Sequence, residues 1–205
     1  MGEFMSAARP QHLSDVATFY DLTSAVAAWN PVANQLAIEH GISLPENVRT
    51  LALINMATSD ALVTVMESKY HYTRWRPETA IRDGELDGNP RTESNPTYQP
   101  FIVTPCFPSY PSAHASASYS AREVLARTYG NGPDSITLST PPGSSVALHL
   151  YYNTLSEITD DVDNARVYGG IHFRYDQDEG GVQGTDIGRY VYKEKLRRLR
   201  PSERR

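Results

Sequence analysis

Residues 43–72 read SLPENVRTLALINMATSDALVTVMESKYHY, and this stretch decides the fold class. Ser43 is a good N-cap, Pro45 suits a first helical turn, and Glu46 completes a capping box with Ser43. Leu51, Ile54, Met56, Ala57, Leu62, Val65 and Met66 then recur at helical spacing, which predicts one long helix to about Tyr72. It is apolar around much of its circumference, so it is expected at the centre of an all-helical protein.

Outward from this helix, the pattern stays helical. Asp15 to Trp29 has apolar residues at helical spacing, with Ser14 or Asp15 as cap, and Asn30-Pro31 is expected to break it. A second helix is expected from Val32 to His40, stopped by Gly41. Arg76 to Tyr110 carries Pro77, Pro90, Pro96, Pro100, Pro105 and Pro108 and reads as a long irregular segment. Its aromatics Tyr98, Phe101 and Phe107 suggest a packed loop over a site. Helices are expected from Ser112 to Tyr129 and from Val146 to Val162, separated by a Gly/Pro/Ser/Thr-rich linker. A last helical region follows Gly169-Gly170 and runs to about Leu199, where Gly184 and Gly188 would allow close helix contact. No alternating strand pattern and no internal repeat stand out.

The bulk properties exclude several classes. The 205 residues fit one domain, 1–205, and 40% hydrophobic with 21% charged residues fits a globular chain. A net charge of −5 does not favour nucleic acid or anionic membrane. No apolar run approaches the ~20 residues of a membrane span. No signal peptide is visible, which leaves the localisation unknown. Met1-Gly2-Glu3-Phe4 reads as a cloning remnant before a natural start at Met5. Cys106, the single cysteine, reads as a small apolar filler between Pro105 and Phe107. His71 reads as packing or loop support, and His149 as a core histidine in an apolar helix. The basic run 193–205 reads as a solvated tail. Of the cationic residues, 16 are Arg and 3 are Lys, and Lys69 is the only Lys outside that tail. A compact ammonium chosen among so many guanidinium groups suggests a position that needs a point charge.

Three segments carry chemistry. In the first, Lys69 and Arg76 are seven apart, and Pro77 pushes Arg76 out of helical geometry, so Arg76 can hook back beside Lys69. In the second, Ser112 caps a helix behind Pro111, so first-turn N–H groups and the Ser112 hydroxyl would face an anion, with His114 placed for proton transfer. In the third, Arg166 precedes Gly169-Gly170, and His172 stands four before Asp176, a carboxylate suited to fixing the imidazole tautomer. Each alone has a plain structural explanation: a basic face, a capped helix, a surface ion pair. Together they offer three cations, a helix N-terminus and two histidines, a set suited to the equatorial oxygens of a phosphoryl or vanadate centre. A divalent-metal hydrolase is disfavoured, because no His-Glu-x-x-His motif or carboxylate cluster is present.

In order, Lys69-x6-Arg76-Pro77, Pro111-Ser112-x-His114 and Arg166-x5-His172-x3-Asp176 resemble the superfamily of vanadium-dependent haloperoxidases and type-2 phosphatidic acid phosphatases. Phe107-Pro-Ser-Tyr-Pro-Ser, Trp75-Arg-Pro and Tyr168-Gly-Gly-Ile-His-Phe-Arg are similar to its haloperoxidase-like branch. The resemblance implies a helical bundle in which Lys69, Arg76, Ser112, the Ala113 N–H and Arg166 hold a vanadate cofactor, or phosphate in its place. It implies His172 as vanadate ligand, His114 as acid/base group and Asp176 as orienter of His172. The implied partners are halide, hydrogen peroxide and a small organic substrate. Three features depart from the family pattern: Ala113 stands where Gly is common, Ala165 stands where Ser often precedes the Arg, and the chain is short. A truncated bundle would cover missing core with a second subunit, making a homodimer an expectation. A soluble acid phosphatase working through a phosphohistidine, and a catalytically silent oxyanion-binding protein, are the alternative expectations.

Overall fold

A computed structural model describes residues 1–197. Seven α-helices dominate them: α1 Gln11–Leu22, α2 Ala25–Glu39, α3 Leu44–Tyr72, α4 Pro77–Arg82, α5 Ala113–Tyr129, α6 Leu155–Tyr168 and α7 Arg174–Glu194. The 3-10 turn Gly84–Asp87 follows α4, and the strands β1 Ile136–Ser139 and β2 His149–Tyr152 pair antiparallel, Ile136 opposite Tyr152. The expected all-helical bundle is present.

The central helix α3 starts as its sequence predicts, with the Glu46 carboxylate accepting from the Ser43 N–H and from its hydroxyl. Its buried stripe is Thr50, Leu53, Ile54, Ala57, Thr58, Ala61, Val65 and Lys69. Leu51, Met56, Leu62 and Met66 flank that stripe only partly buried. The stripe ends on a charge: Lys69 lies on the same face as Ala61 and Val65 and is fully buried. A core of Phe19, Tyr20, Trp29, Leu36, Leu53, Leu125, Leu155 and Ile158 joins α1, α2, α3, α5 and α6.

The tightest helix contact is between α5 and α7, and it rests on small residues. A Cβ on Gly184 would come within 2.1 Å of the Ser116 carbonyl oxygen, and one on Gly188 within 2.5 Å of that of Ser120. Gly180 extends the series, 2.7 Å from the Ser112 carbonyl. Residues four apart on one helix thus fit residues four apart on the other, with no room for a side chain.

Several local expectations are corrected. The helix break falls at Thr23, where Ser24 caps α2 by accepting from the Ala27 N–H at 3.2 Å. Pro31 sits inside α2, on its exposed side. The lost hydrogen bond is offset there by burial of Trp29, Val32, Ala33 and Leu36 on the opposite face. The segment 146–162 is not one helix: it holds β2 and then α6, which starts at a Thr154–Glu157 capping box. His149 is therefore an exposed strand residue, its Nδ1 2.8 Å from the Ser139 hydroxyl. Cys106 is exposed, not a core filler. The stretch 76–110 contains α4 and the 3-10 turn. The opening residues pack against it, with Phe4 N–H donating to Gln99 and Phe101 N–H to Gly2. The last helix ends at Glu194. Of the run 193–205 read as a basic tail, residues 198–205 lie outside the described residues.

Candidate functional site

Lys69 and Arg76 are brought together by the end of α3. Thr73 takes a left-handed conformation (φ 47°, ψ 38°), which ends the helix and turns the chain. Arg76 is extended (φ −83°, ψ 158°), as expected before Pro77, and caps α4. The two therefore do not share a helix face; they converge from either side of a turn. The Lys69 ammonium donates to the carbonyls of Pro108 (2.9 Å) and Ser109 (2.7 Å). Arg76 donates through Nε to the Phe107 carbonyl (2.9 Å) and through Nη1 to that of Ile171 (2.8 Å). The Phe107 ring lies under both cations, 5.3 Å from Lys69 Nζ and 5.0 Å from the Arg76 guanidinium carbon.

Ser112 caps α5. Its hydroxyl oxygen accepts from the Ala115 N–H (3.3 Å), and its own N–H donates to the Asp176 carbonyl (2.8 Å). The Ala113 and His114 N–H groups open the helix and have no acceptor within it. His114 is half-buried and bonds the Tyr20 main chain. The same Tyr20 carbonyl accepts from Arg166 Nη1 at 3.1 Å. Arg166, in the last turn of α6, and His114 are thus tied to one atom group of α1.

His172 precedes α7, and Asp176 is in its first turn, so the two do not share a helix face. The contact is nevertheless made: His172 Nδ1 lies 2.8 Å from Asp176 Oδ2, which also accepts from the Phe173 N–H (3.0 Å) and the Ser109 hydroxyl (2.5 Å). Arg76 Nη1, which can only donate, lies 2.9 Å from His172 Nε2. Nε2 must therefore be the acceptor, and the proton sits on Nδ1 facing Asp176. Burial first, then the Arg76, Lys69 and Arg166 charges, hold the His172 pKa well below its ordinary value, so the ring is neutral. The result is a neutral imidazole presenting the Nε2 lone pair to a cationic cluster. His114 is likewise held neutral, by burial and then by the Arg166, His172 and Lys69 charges.

The cluster is strongly electropositive. Lys69, Arg76 and Arg166 are buried, and Asp176 is the carboxylate buried among them. Burial, then the Arg76 charge, lowers Lys69 to about 7; burial lowers Arg76 and Arg166 to about 10. Among the described residues, the buried Arg76 Nη2 and Arg166 Nε have no hydrogen-bond partner. Three cations against one carboxylate, with two orphaned guanidinium nitrogens, fit a doubly charged tetrahedral oxyanion such as vanadate or phosphate. By contrast, no group of three or more His, Cys, Asp or Glu that could hold a bare metal cation is found among the described residues.

Seven of the eight residues singled out in the sequence are linked by hydrogen bonds or charge interactions in this cluster; Ala113 adjoins it only through its chain neighbours Ser112 and His114. One residue was missed. Ser109 is fully buried; its hydroxyl reaches Asp176 and lies 3.4 Å from His172 Nδ1, and its carbonyl holds Lys69. It stands inside the Phe107–Ser112 motif, but serine is a common turn residue, and its type alone carries no signal. His71 and Trp75 are exposed, and neither is held in the cluster by a hydrogen bond.

The family described as VCPO second helical-bundle domain matches residues 49–201, three quarters of the chain. The chain belongs to that family. It falls in the haloperoxidase-like branch of the superfamily. It is 33% identical over 91 residues to vanadium chloroperoxidase of Curvularia inaequalis, a match covering 40% of this chain and 14% of that protein. Its fold is similar to the first bacterial vanadium-dependent iodoperoxidase (TM-score 0.72, 24% identity, 88% of this chain and 43% of that one). It is also similar to a holo-type bacterial vanadium-dependent chloroperoxidase (TM-score 0.71, 18% identity, 92% of this chain and 44% of that one). The chain thus spans less than half the length of each relative.

Proposed function

We propose that the chain forms a vanadate-binding centre of haloperoxidase type, oxidising halide with hydrogen peroxide. The observation that carries this reading is the neutral His172, its Nε2 lone pair turned toward a buried cluster whose positive charges outnumber its one carboxylate. In the proposed site, Lys69, Arg76, Arg166, the Ser112 hydroxyl and the Ala113 N–H hold the oxyanion's oxygens, and His172 Nε2 is the ligand. Asp176, itself positioned by Ser109, keeps the His172 proton on Nδ1. His114, at the dipole end of α5, moves a proton to or from a bound oxygen. Vanadate held there would supply an electrophilic centre for the peroxide and halide chemistry. Arg76 Nη2 and Arg166 Nε, which have no partner among the described residues, are the donors open to its oxygens, and Arg76 Nη1 would have to leave His172 Nε2 for that lone pair to reach the oxyanion.

The test is bromination of a phenolic dye by the full chain. Turnover is expected only when vanadate, bromide and peroxide are all present, with phosphate competing against vanadate. Hydrolysis of p-nitrophenyl phosphate, with vanadate acting only as inhibitor, would move the chain to acid phosphatase chemistry. Tight vanadate binding with neither activity would leave an oxyanion-binding protein.

A further inference from the structure

Beside the buried cluster lies a second concavity that the oxyanion chemistry does not use. It is a cavity of about 480 Å³ lined by Tyr72, Arg74, Tyr110 and Tyr175. Its walls are rings in mutual contact. Tyr72 and Tyr110 meet edge to face with centroids 5.2 Å apart, Tyr110 and Tyr175 lie 6.0 Å apart, and Tyr175 stacks on Phe173 at 5.2 Å with planes 8° apart. Tyr72 and Tyr175 remain about half exposed, so apolar ring surface faces the opening. Three aromatic rings and one guanidinium around a single concavity match the make-up of a small-ligand site, mostly ring surface with one polar group.

Arg74 supplies the polar element. It is exposed, its charge acts on both Tyr110 and Tyr175, and no carboxylate pairs with it among the described residues. Its placement is fixed by the backbone. Thr73 is held left-handed, a conformation uncommon for a β-branched residue, and the Arg74 carbonyl accepts from the Ser109 N–H at 2.9 Å. The acidic neighbours are Glu179, whose charge acts on Tyr110, and Asp176, whose charge acts on both Tyr110 and Tyr175. An anionic ligand group would therefore point to Arg74 and away from both carboxylates.

The cavity is also tied to the cluster through the chain itself. Tyr110 follows Ser109, Tyr175 precedes Asp176, and Arg74 is two residues before Arg76. We infer that this aromatic cavity binds a planar aromatic monoanion, an aromatic carboxylate or phenolate, with its ring against Tyr110 and Tyr175 and its charged end on Arg74. Ring stacking and a charge-assisted hydrogen bond are the two interactions the walls offer, and both are required to select this class over a saturated acid or a neutral ring. Binding does not depend on the proposed halide oxidation.

The probe is 4-hydroxybenzoate, followed by saturation-transfer NMR on the intact, vanadate-free chain. Transfer to the ring protons is expected. Affinity should fall at least about tenfold in Arg74→Gln and in Tyr110→Leu, and for cyclohexanecarboxylate against the unaltered chain. Arg74 is exposed, so Arg74→Gln is expected to retain the unaltered far-UV spectrum and thermal midpoint, which keeps the comparison one of binding. Saturating vanadate should leave the signal in place. Absence of transfer, equal affinity in both variants, equal affinity for the saturated acid, or displacement by vanadate would each overturn the inference; displacement would put the ligand in the buried cluster instead.

Discussion

His172 lies between two partners of opposite demand: Arg76 Nη1 is 2.9 Å from its Nε2, and Asp176 Oδ2 is 2.8 Å from its Nδ1. A donor on one side and an acceptor on the other leave a single neutral tautomer. The nitrogen that faces the cations is the one with a lone pair. A residue that could serve as ligand or nucleophile is thus set by its two neighbours, before any oxyanion binds.

Asp176→Asn breaks that arrangement without changing shape. The carboxamide can present either its oxygen or its NH2 to Nδ1, so the tautomer is no longer fixed. Vanadate affinity is expected to fall about 10- to 100-fold in a titration. His172→Ala should abolish tight binding altogether, and unchanged affinity in that variant would remove His172 from its assigned place. His114→Ala should lower turnover far more than affinity.

Lys69 makes oxyanion binding pH-dependent. Its pKa in the ligand-free chain is about 7, against an ordinary 10.5. A bound dianion favours the ammonium, so binding above pH 7 takes up a proton. Sulfate, whose charge is constant in this range, should bind up to about tenfold more weakly per pH unit above about 7, measured by calorimetry. Lys69→Met should bind more weakly and show a flattened profile.

The same group sets an alkaline trend in stability. Because the folded pKa is the lower one, the unfolded chain holds more protons between about 7 and 10.5, and stability from this group rises with pH across that window. His172 and His114 act alike on the acid side. Both pKa values are lowered from 6.5, so their contribution is complete above 6.5 and is lost as pH falls below it. Asp163, raised to about 6 by burial, opposes them below about pH 6, so denaturant midpoints should rise with pH from 6 to 7, and addition of vanadate should lift them.

Gly184→Ala tests the α5–α7 contact. Its Cβ would meet the Ser116 carbonyl at 2.1 Å, a backbone atom that cannot rotate away. The helices must separate, at a cost of about 1–3 kcal/mol in denaturant unfolding. Ser112 lies one turn before Ser116 on α5 and Asp176 two turns before Gly184 on α7, so vanadate binding should weaken as well.

What was readable in the sequence, and what was not, divides along a physical line. The capping box at Ser43, the start of α5 at Ser112, the extended Arg76 before Pro77 and the Gly184–Gly188 contact were all legible. Each depends on near neighbours or on a fixed helical period. The Pro31 break and the helix over 146–162 were misread, because tertiary burial of Trp29 and Leu36 outweighed one lost hydrogen bond, and because cross-strand pairing to Ile136–Ser139 outweighed local helix preference.

For the candidate site, residue type and order determined which side chains to suspect, because few patterns combine Lys69, Arg76, Ser112, His114, Arg166, His172 and Asp176 in that order. The tertiary structure decided how they meet. It placed Lys69 on a buried stripe, set the His172 tautomer between α7's first turn and Arg76, and brought in Ser109, whose neighbours are 63 and 67 residues away in the chain. Sequence records the chemistry each group can perform; desolvation and through-space contact, which set its charge and direction, exist only once the chain is folded.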